Sequence, residues 1–321
     1  MAVAHIVRRT QFKERGRNMI LEREDWEESR CCLRPQDAAV ELPHGKISVP
    51  EACTEGVPDG EEIGQVIADF DRLLAQDAKE EAGRYLEDWL ERFEKNGDWA
   101  CQITILNEMM GFYRNTGEKE KGLDSVKRGL ALVREHELSG TVSGGTTFVN
   151  AATTMKAFGE SKEAMAYYEQ AFRVYGKSLA PDDYRFGGLF HNMALAFEDL
   201  GEYKRAEIYY KKAMEIMERL RPGSIMEIAV TWVNLAVLYE KWGREEEIDL
   251  CLNKAMDSFH ARDVVRDAYY AFNCRKCADT FGHFGYFRMK KELNCEADRI
   301  YREVREKEEQ NAGTGAFKTF L

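Results

Sequence analysis

Apolar residues recur along most of this chain at a fixed spacing. Between residues 98 and 300 they fall into blocks that repeat every 42 positions. Within a block they are three, four or seven residues apart, which places them on one face of a helix. Each block holds two such stripes with one glycine between them. The pattern predicts consecutive pairs of antiparallel helices around Gly117, Gly159, Gly201, Gly243 and Gly285.

The glycine and two rows of small residues explain how each pair forms. The glycine is expected to end the first helix because it adopts a left-handed conformation without steric cost. Small residues stand seven positions before the last four of these glycines and twelve positions after all five, where they let helix backbones approach closely. The second row contains Ala171, Ala213, Ala255 and Ala297. Each pair can bury its apolar face only against its neighbours, so we expect an all-α solenoid.

Residues 190–216, FHNMALAFEDLGEYKRAEIYYKKAMEI, resemble the tetratricopeptide repeat (TPR). That family has a large residue early in helix A, a small residue one turn later, an aromatic before the turn, a glycine at the turn and alanines in helix B. The resemblance covers about 98–300 and is specific for 143–260. The long repeat is similar to that of kinesin light chain and of bacterial peptide-sensing regulators. It implies a right-handed superhelical solenoid of antiparallel helix pairs.

The register defines the expected organisation of the array. Residues 98–310 are assigned to five TPR-like pairs, and the last pair is read as a cap because Lys290 and Asn294 replace apolar packing residues. Residues 61–97 are read as a degenerate first helix pair. Residues 311–321 are expected to form a flexible tail.

The N-terminal segment, residues 1–60, is expected to be poorly ordered because four of the six prolines fall in it. Residues 1–18 are either a basic arm or untranslated sequence before Met19. The tryptophan-acidic stretch Glu22–Glu28 looks like the peptides that kinesin light chain accepts, so it is a candidate occupant of the protein's own groove. The glycine-rich stretch Ser143–Thr147 is read as a loop and helix N-cap.

Composition limits the classes of function. The formal net charge of −11 argues against a nucleic-acid partner. No apolar run approaches the length of a membrane helix, and no secretory signal is evident, so we expect a cytoplasmic protein without a membrane partner. Cys274 and Cys277 form a C-x-x-C, but the repeat register turns both toward the core, so no metal is expected. No catalytic or cofactor motif is present, which predicts a protein that is not an enzyme and has no cofactor.

The candidate binding residues lie nine positions before each glycine. We call this set the inner row, and the resembled family places it in the concave groove. An asparagine offers a donor and an acceptor and can pair with both groups of a peptide unit. Alternatively, Asn is simply common at this repeat position. The inner row is Glu108, Asn150, Asn192, Asn234 and Lys276, and His191, Lys241 and Arg275 are its predicted neighbours.

The sequence therefore favours a protein- or peptide-binding scaffold that uses its concave groove, with main-chain clamping by the three asparagines and charge from Lys276. One alternative is an assembly scaffold that associates through its outer faces or ends, for which a homodimer is one form. A second alternative is a peptide-sensing regulator that acts with a separate effector protein.

Overall fold

The computed structural model describes residues 60–75 and 78–316, and within these ranges the chain forms helices and no strand. The all-α fold is therefore confirmed. The expectations for residues 1–59, including the stretch Glu22–Glu28, lie outside the described residues. The helices are α1 Gly60–Ala75, α2 Lys79–Asn96, α3 Trp99–Thr116, α4 Lys119–Glu135, α5 Val142–Ala157, α6 Ser161–Ser178, α7 Tyr184–Asp199, α8 Tyr203–Arg219, α9 Ile225–Trp242, α10 Ile248–Phe259, α11 Ala268–His283 and α12 Phe287–Ala316.

The helices alternate between two roles. After the first pair, α1 and α2, the A helices of repeats 1 to 5 are α3, α5, α7, α9 and α11, and the B helices are α4, α6, α8, α10 and α12. Each A helix ends one or two residues before its repeat glycine. All five of these glycines have positive φ, for example 75° at Gly201 and 73° at Gly243, as the sequence predicts.

The repeat positions form the core. The alanines twelve positions after the glycines, Ala171, Ala213, Ala255 and Ala297, are completely buried. Tyr168 and Tyr210, nine positions after their glycines, are also completely buried. One apolar cluster extends from repeat 1 to repeat 5 along these contacts. Each helix pair is therefore stabilised mainly by its neighbours.

Two local expectations from the sequence differ from the structure. Ser143–Thr147 lies inside α5 and not in a loop, because Thr141 is the N-cap and accepts a hydrogen bond from the amide of Gly144. A glycine is required there, since a Cβ on Gly144 would lie 2.1 Å from the carbonyl oxygen of Leu138. The last helix, α12, continues to Ala316, beyond residue 310, although Gly313 and Gly315 have low helix propensity.

Candidate functional site: the inner row and the outer stripe

The three asparagines of the inner row lie between neighbouring A helices and are buried. Asn150, Asn192 and Asn234 are 1, 2 and 0% exposed. The glycine register sets them at the same position of consecutive repeats, as the sequence predicts. Their burial, which the sequence does not reveal, means that a peptide cannot reach them without a change in the packing of the A helices.

Asn150 takes part in a contact between repeats 1 and 2 that we call a polar clasp. The side chain of Asn107 on α3 lies between two residues of α5. Its amide donates to the hydroxyl of Thr147 at 3.1 Å, and its carbonyl accepts from the amide of Asn150 at 2.9 Å. One side chain thus bridges two positions of the next A helix.

The same clasp recurs between repeats 3 and 4 with a histidine in the bridging position. The Nδ1 of His191 lies 3.0 Å from the hydroxyl of Thr231, and its Nε2 lies 3.0 Å from the amide nitrogen of Asn234. His191 is completely buried. The predicted groove residue is therefore part of the packing between two repeats.

The joint between repeats 2 and 3 lacks this clasp. The bridging position is Val149, which offers no polar group to Asn192. The Oδ1 of Asn192 is buried and has no hydrogen-bond partner among the described residues. The Oδ1 of Asn150 is also buried without a partner in the described part of the chain, so Asn192 differs from Asn150 and Asn234 only in that no clasp holds its amide. Asn107, Thr147, Thr231 and the clasp itself are absent from the residues that the sequence singled out, although their spacing is repeated after 84 positions.

A second set of contacts joins the C-terminal ends of the A helices. Each ion pair links a residue three positions before one glycine with a residue two positions before the next. Glu198 pairs with Lys241 at 3.0 Å, and Lys156 approaches Asp199 at 3.7 Å. The exposed pair between Glu240 and His283 continues the series. Lys241, a predicted groove residue, is thus engaged by its own protein.

Glu198 is the most buried carboxylate of this series. It is 3% exposed, and its second oxygen accepts a hydrogen bond from the hydroxyl of Tyr210 at 3.0 Å. Burial raises the pKa of the Glu198 carboxyl, while the ammonium of Lys241 and the Tyr210 hydroxyl act in the opposite direction. The charged form is therefore held by two donors from neighbouring helices.

The charged residues at the two ends of the inner row are not brought together. Glu108 on α3 is partly buried, and burial together with the nearby charge of Asp71 raises its pKa to about 7. Arg275 on α11 forms a 2.6 Å ion pair with Asp298, and the ammonium of Lys276 lies 4.7 Å from the ring centre of Phe272. These residues belong to opposite ends of the array.

The inner face is also buried three positions after each asparagine, at Thr153, Leu195 and Val237. The hydroxyl of Thr153 accepts a hydrogen bond from Tyr168 on the B helix of the same repeat. These side chains, like the asparagines, are therefore not exposed to a peptide in this structure. Polar side chains at the rim, including Asn115 and His283, remain exposed.

The B helices carry a set of exposed apolar side chains that we call the outer stripe. It consists of Ile208, Leu250 and Phe287, which are 44, 54 and 70% exposed and belong to three consecutive B helices. Ile208 and Leu250 stand at the same repeat position. Each follows a carboxylate that binds the next repeat: Glu207 accepts from the hydroxyl of Tyr239, and Asp249 from that of Tyr286.

The cysteines of the C-x-x-C are packing residues. Cys274 and Cys277 are completely buried in the core, and burial raises the pKa of both thiols, to about 12 for Cys274. Within residues 60–75 and 78–316, no cluster of three or more His, Cys, Asp or Glu side chains is arranged to hold a metal ion. In the same part of the chain, every helix is too short or too polar to span a bilayer.

Comparison with known proteins supports the helical-repeat architecture. Residues 187–259 match the family model of the tetratricopeptide repeat. No curated protein matches the chain in sequence. The structure is similar to that of BtubC (BKLC) from P. vanneervenii, with a TM-score of 0.55 and 19% identity over 68% of this chain and 89% of BtubC.

A second similar structure contains nearly identical TPR-like repeats from a Podosopora anserina protein described as a kinesin light chain. Its TM-score is 0.45, with 16% identity over 63% of this chain and 96% of the other. At 19% identity and a TM-score of 0.55, the likeness to BtubC shows the fold alone, which is that of a TPR solenoid.

Proposed function

We propose that this chain, which carries tetratricopeptide repeats over residues 187–259, is a non-catalytic scaffold that binds other proteins through the outer surface of its B helices. Helical-repeat solenoids present extended surfaces for other chains. The proposal is supported by the burial of the inner-row asparagines and of the residues three positions after them in repeats 2 to 4, because the outer surface then offers the more accessible side chains. This choice corresponds to the assembly scaffold that the sequence left as an alternative.

The outer stripe is the observation that carries the proposal. Single exposed apolar residues are common on protein surfaces and need no explanation. Ile208 and Leu250 differ because they repeat in register on consecutive B helices, and Phe287 is a third exposed apolar side chain, near the start of the next B helix. Exposed apolar surface with a polar border is typical of protein-interaction sites. The charged neighbours Glu207 and Asp249 supply such a border.

A capture experiment with the full chain tests this proposal. The parent protein and a variant with Ile208→Ser, Leu250→Ser and Phe287→Ser are incubated with native lysate, and bound proteins are quantified by mass spectrometry. Val265→Ser is the control, because Val265 is 71% exposed and lies in the loop before α11. We expect the stripe variant to lose proteins that the parent and the control retain; equal recovery by all three contradicts the proposal.

Peptide recognition by the inner row is the second candidate. It is supported by Asn192, whose buried Oδ1 has no partner among the described residues and would accept a main-chain amide if neighbouring A helices separate. In this case Asn150 and Asn234 clamp adjacent peptide units, Lys276 and Arg275 bind a carboxylate at one end, and Glu108 marks the other. His191 and Lys241 then exchange their internal partners for the ligand.

Asn192→Ala separates this candidate from the first. Loss of one buried hydrogen-bond pair should weaken binding of a groove peptide by about 1–2 kcal/mol. Calorimetric titration of parent and variant with a peptide from a captured partner measures the difference. Equal affinity would refute a clamp at this residue and leave outer-surface binding unaffected.

A further inference from the structure

The two polar clasps have the same geometry but different chemistry at the bridging position. Asn107 bridges repeats 1 and 2, and an amide does not titrate in the physiological range. His191 bridges repeats 3 and 4 and is the side chain whose charge changes between pH 5 and 8. The chain therefore contains a titratable clasp and a matched one that does not titrate.

The hydrogen bonds around His191 specify its neutral form. The hydroxyl of Thr231 has one proton and lies 2.7 Å from the backbone oxygen of Glu227, to which it donates. Its oxygen therefore accepts from Nδ1–H of His191, which leaves Nε2 as an acceptor for the amide of Asn234. If the imidazole is protonated, the second proton is on Nε2 and points at the amide N–H of Asn234, which is a donor and not an acceptor.

The titratable groups around the imidazole do not change this assignment. The ring of Tyr210 on α8 lies edge-on to His191, with 5.3 Å between the ring centres. The Tyr210 hydroxyl donates to Glu198, which lies two turns further along α7 and is paired with Lys241. On α9, the carboxylate of Glu227 accepts from the hydroxyl of Tyr269.

We propose that His191 makes the joint between repeats 3 and 4 acid-sensitive, so that the array loosens there at mildly acidic pH while the Asn107 joint holds. Protonation reverses the role of Nε2 and places a charge in a completely buried position. In the unfolded chain a histidine binds its proton near pH 6.5. The stabilisation by the neutral clasp is therefore complete above about pH 6.5 and is lost as the pH falls below it.

His191→Asn is the decisive variant because it installs the residue that bridges repeats 1 and 2. Urea unfolding of the full chain is followed for parent and variant between pH 7.5 and 5.5. Below about pH 6.5, the unfolding constant of the parent divided by that of the variant should rise by up to about tenfold for each pH unit. Acidic groups such as Glu198 and Glu227 titrate in both proteins and cancel in this ratio. Parallel pH profiles overturn the proposal.

The reverse substitution keeps the proposal testable if His191→Asn does not fold. Asn107→His places an imidazole between Thr147 and Asn150 and should make unfolding more acid-sensitive than in the parent. Hydrogen exchange at equal pH locates the effect: amides of α5 should lose protection in this variant, and amides of α9 in the acidified parent. An Asn107→His protein with the parent's pH profile contradicts the inference.

Discussion

The carboxylate of Glu198 on α7 accepts a hydrogen bond from the ammonium of Lys241 on α9 at 3.0 Å, and Glu198 is almost fully buried. This pair connects repeats 3 and 4 across the ends of their A helices. The two residues are 43 positions apart, which is one repeat of 42 residues plus one, so the contact joins neighbouring positions of consecutive repeats. It shows how residues of the inner face are used to hold the array together.

Lys241→Met should destabilise the protein by about 3 kcal/mol, because it leaves Glu198 charged, buried and without its cation. The cost should shrink in acid, where Glu198 becomes protonated. Lys211→Met is the control, since the Lys211 side chain is 61% exposed in its pair with Glu207, and it should cost at most about 0.5 kcal/mol. Urea unfolding measures both; equal effects would show that the Glu198 pair contributes no more than a surface pair.

Glu108 should make stability depend on pH in the opposite direction to His191. Its pKa is raised to about 7, so the folded protein binds a proton that the unfolded chain has already released. Its contribution to stability is complete below the ordinary pKa of about 4.3 and is lost as pH rises to about 7. Glu108→Gln should remove this part of the pH profile, whereas Glu120→Gln, at an exposed position, should leave it unchanged. A parent-like profile for Glu108→Gln contradicts the assignment.

Gly144→Ala should destabilise the protein by roughly 3 kcal/mol, because the new Cβ meets a backbone oxygen and not a flexible side chain. Gly188→Ala in α7 is the matched control. A Cβ there meets nothing within 4 Å, so the variant should be more stable by about 0.5–1 kcal/mol through helix propensity. Thermal unfolding distinguishes the two. Similar melting temperatures would mean that α5 shifts to accept the methyl group.

The sequence was sufficient for the fold and insufficient for the accessibility of the inner row. The spacing of Gly201 and Gly243 and the burial of Ala213 follow from helix periodicity, which depends only on local geometry. The burial of Asn192 depends on how closely successive A helices approach, and this angle is set by all contacts between repeats. The sequence does repeat the polar residues of the clasp after 84 positions, from Asn107 to His191. Such a repeat does not reveal which of these side chains are in contact.

The affinity of one purified partner for three versions of the full chain tests the central claim most directly. The versions are the parent, the outer-stripe variant with serine at 208, 250 and 287, and the inner-row variant Asn150→Ala, Asn192→Ala and Asn234→Ala. We expect the stripe variant to bind at least tenfold more weakly, which corresponds to a combined loss of about 1.4 kcal/mol from three truncated apolar side chains. The inner-row variant should bind like the parent. The opposite result, with affinity lost only in the inner-row variant, would contradict binding through the outer surface.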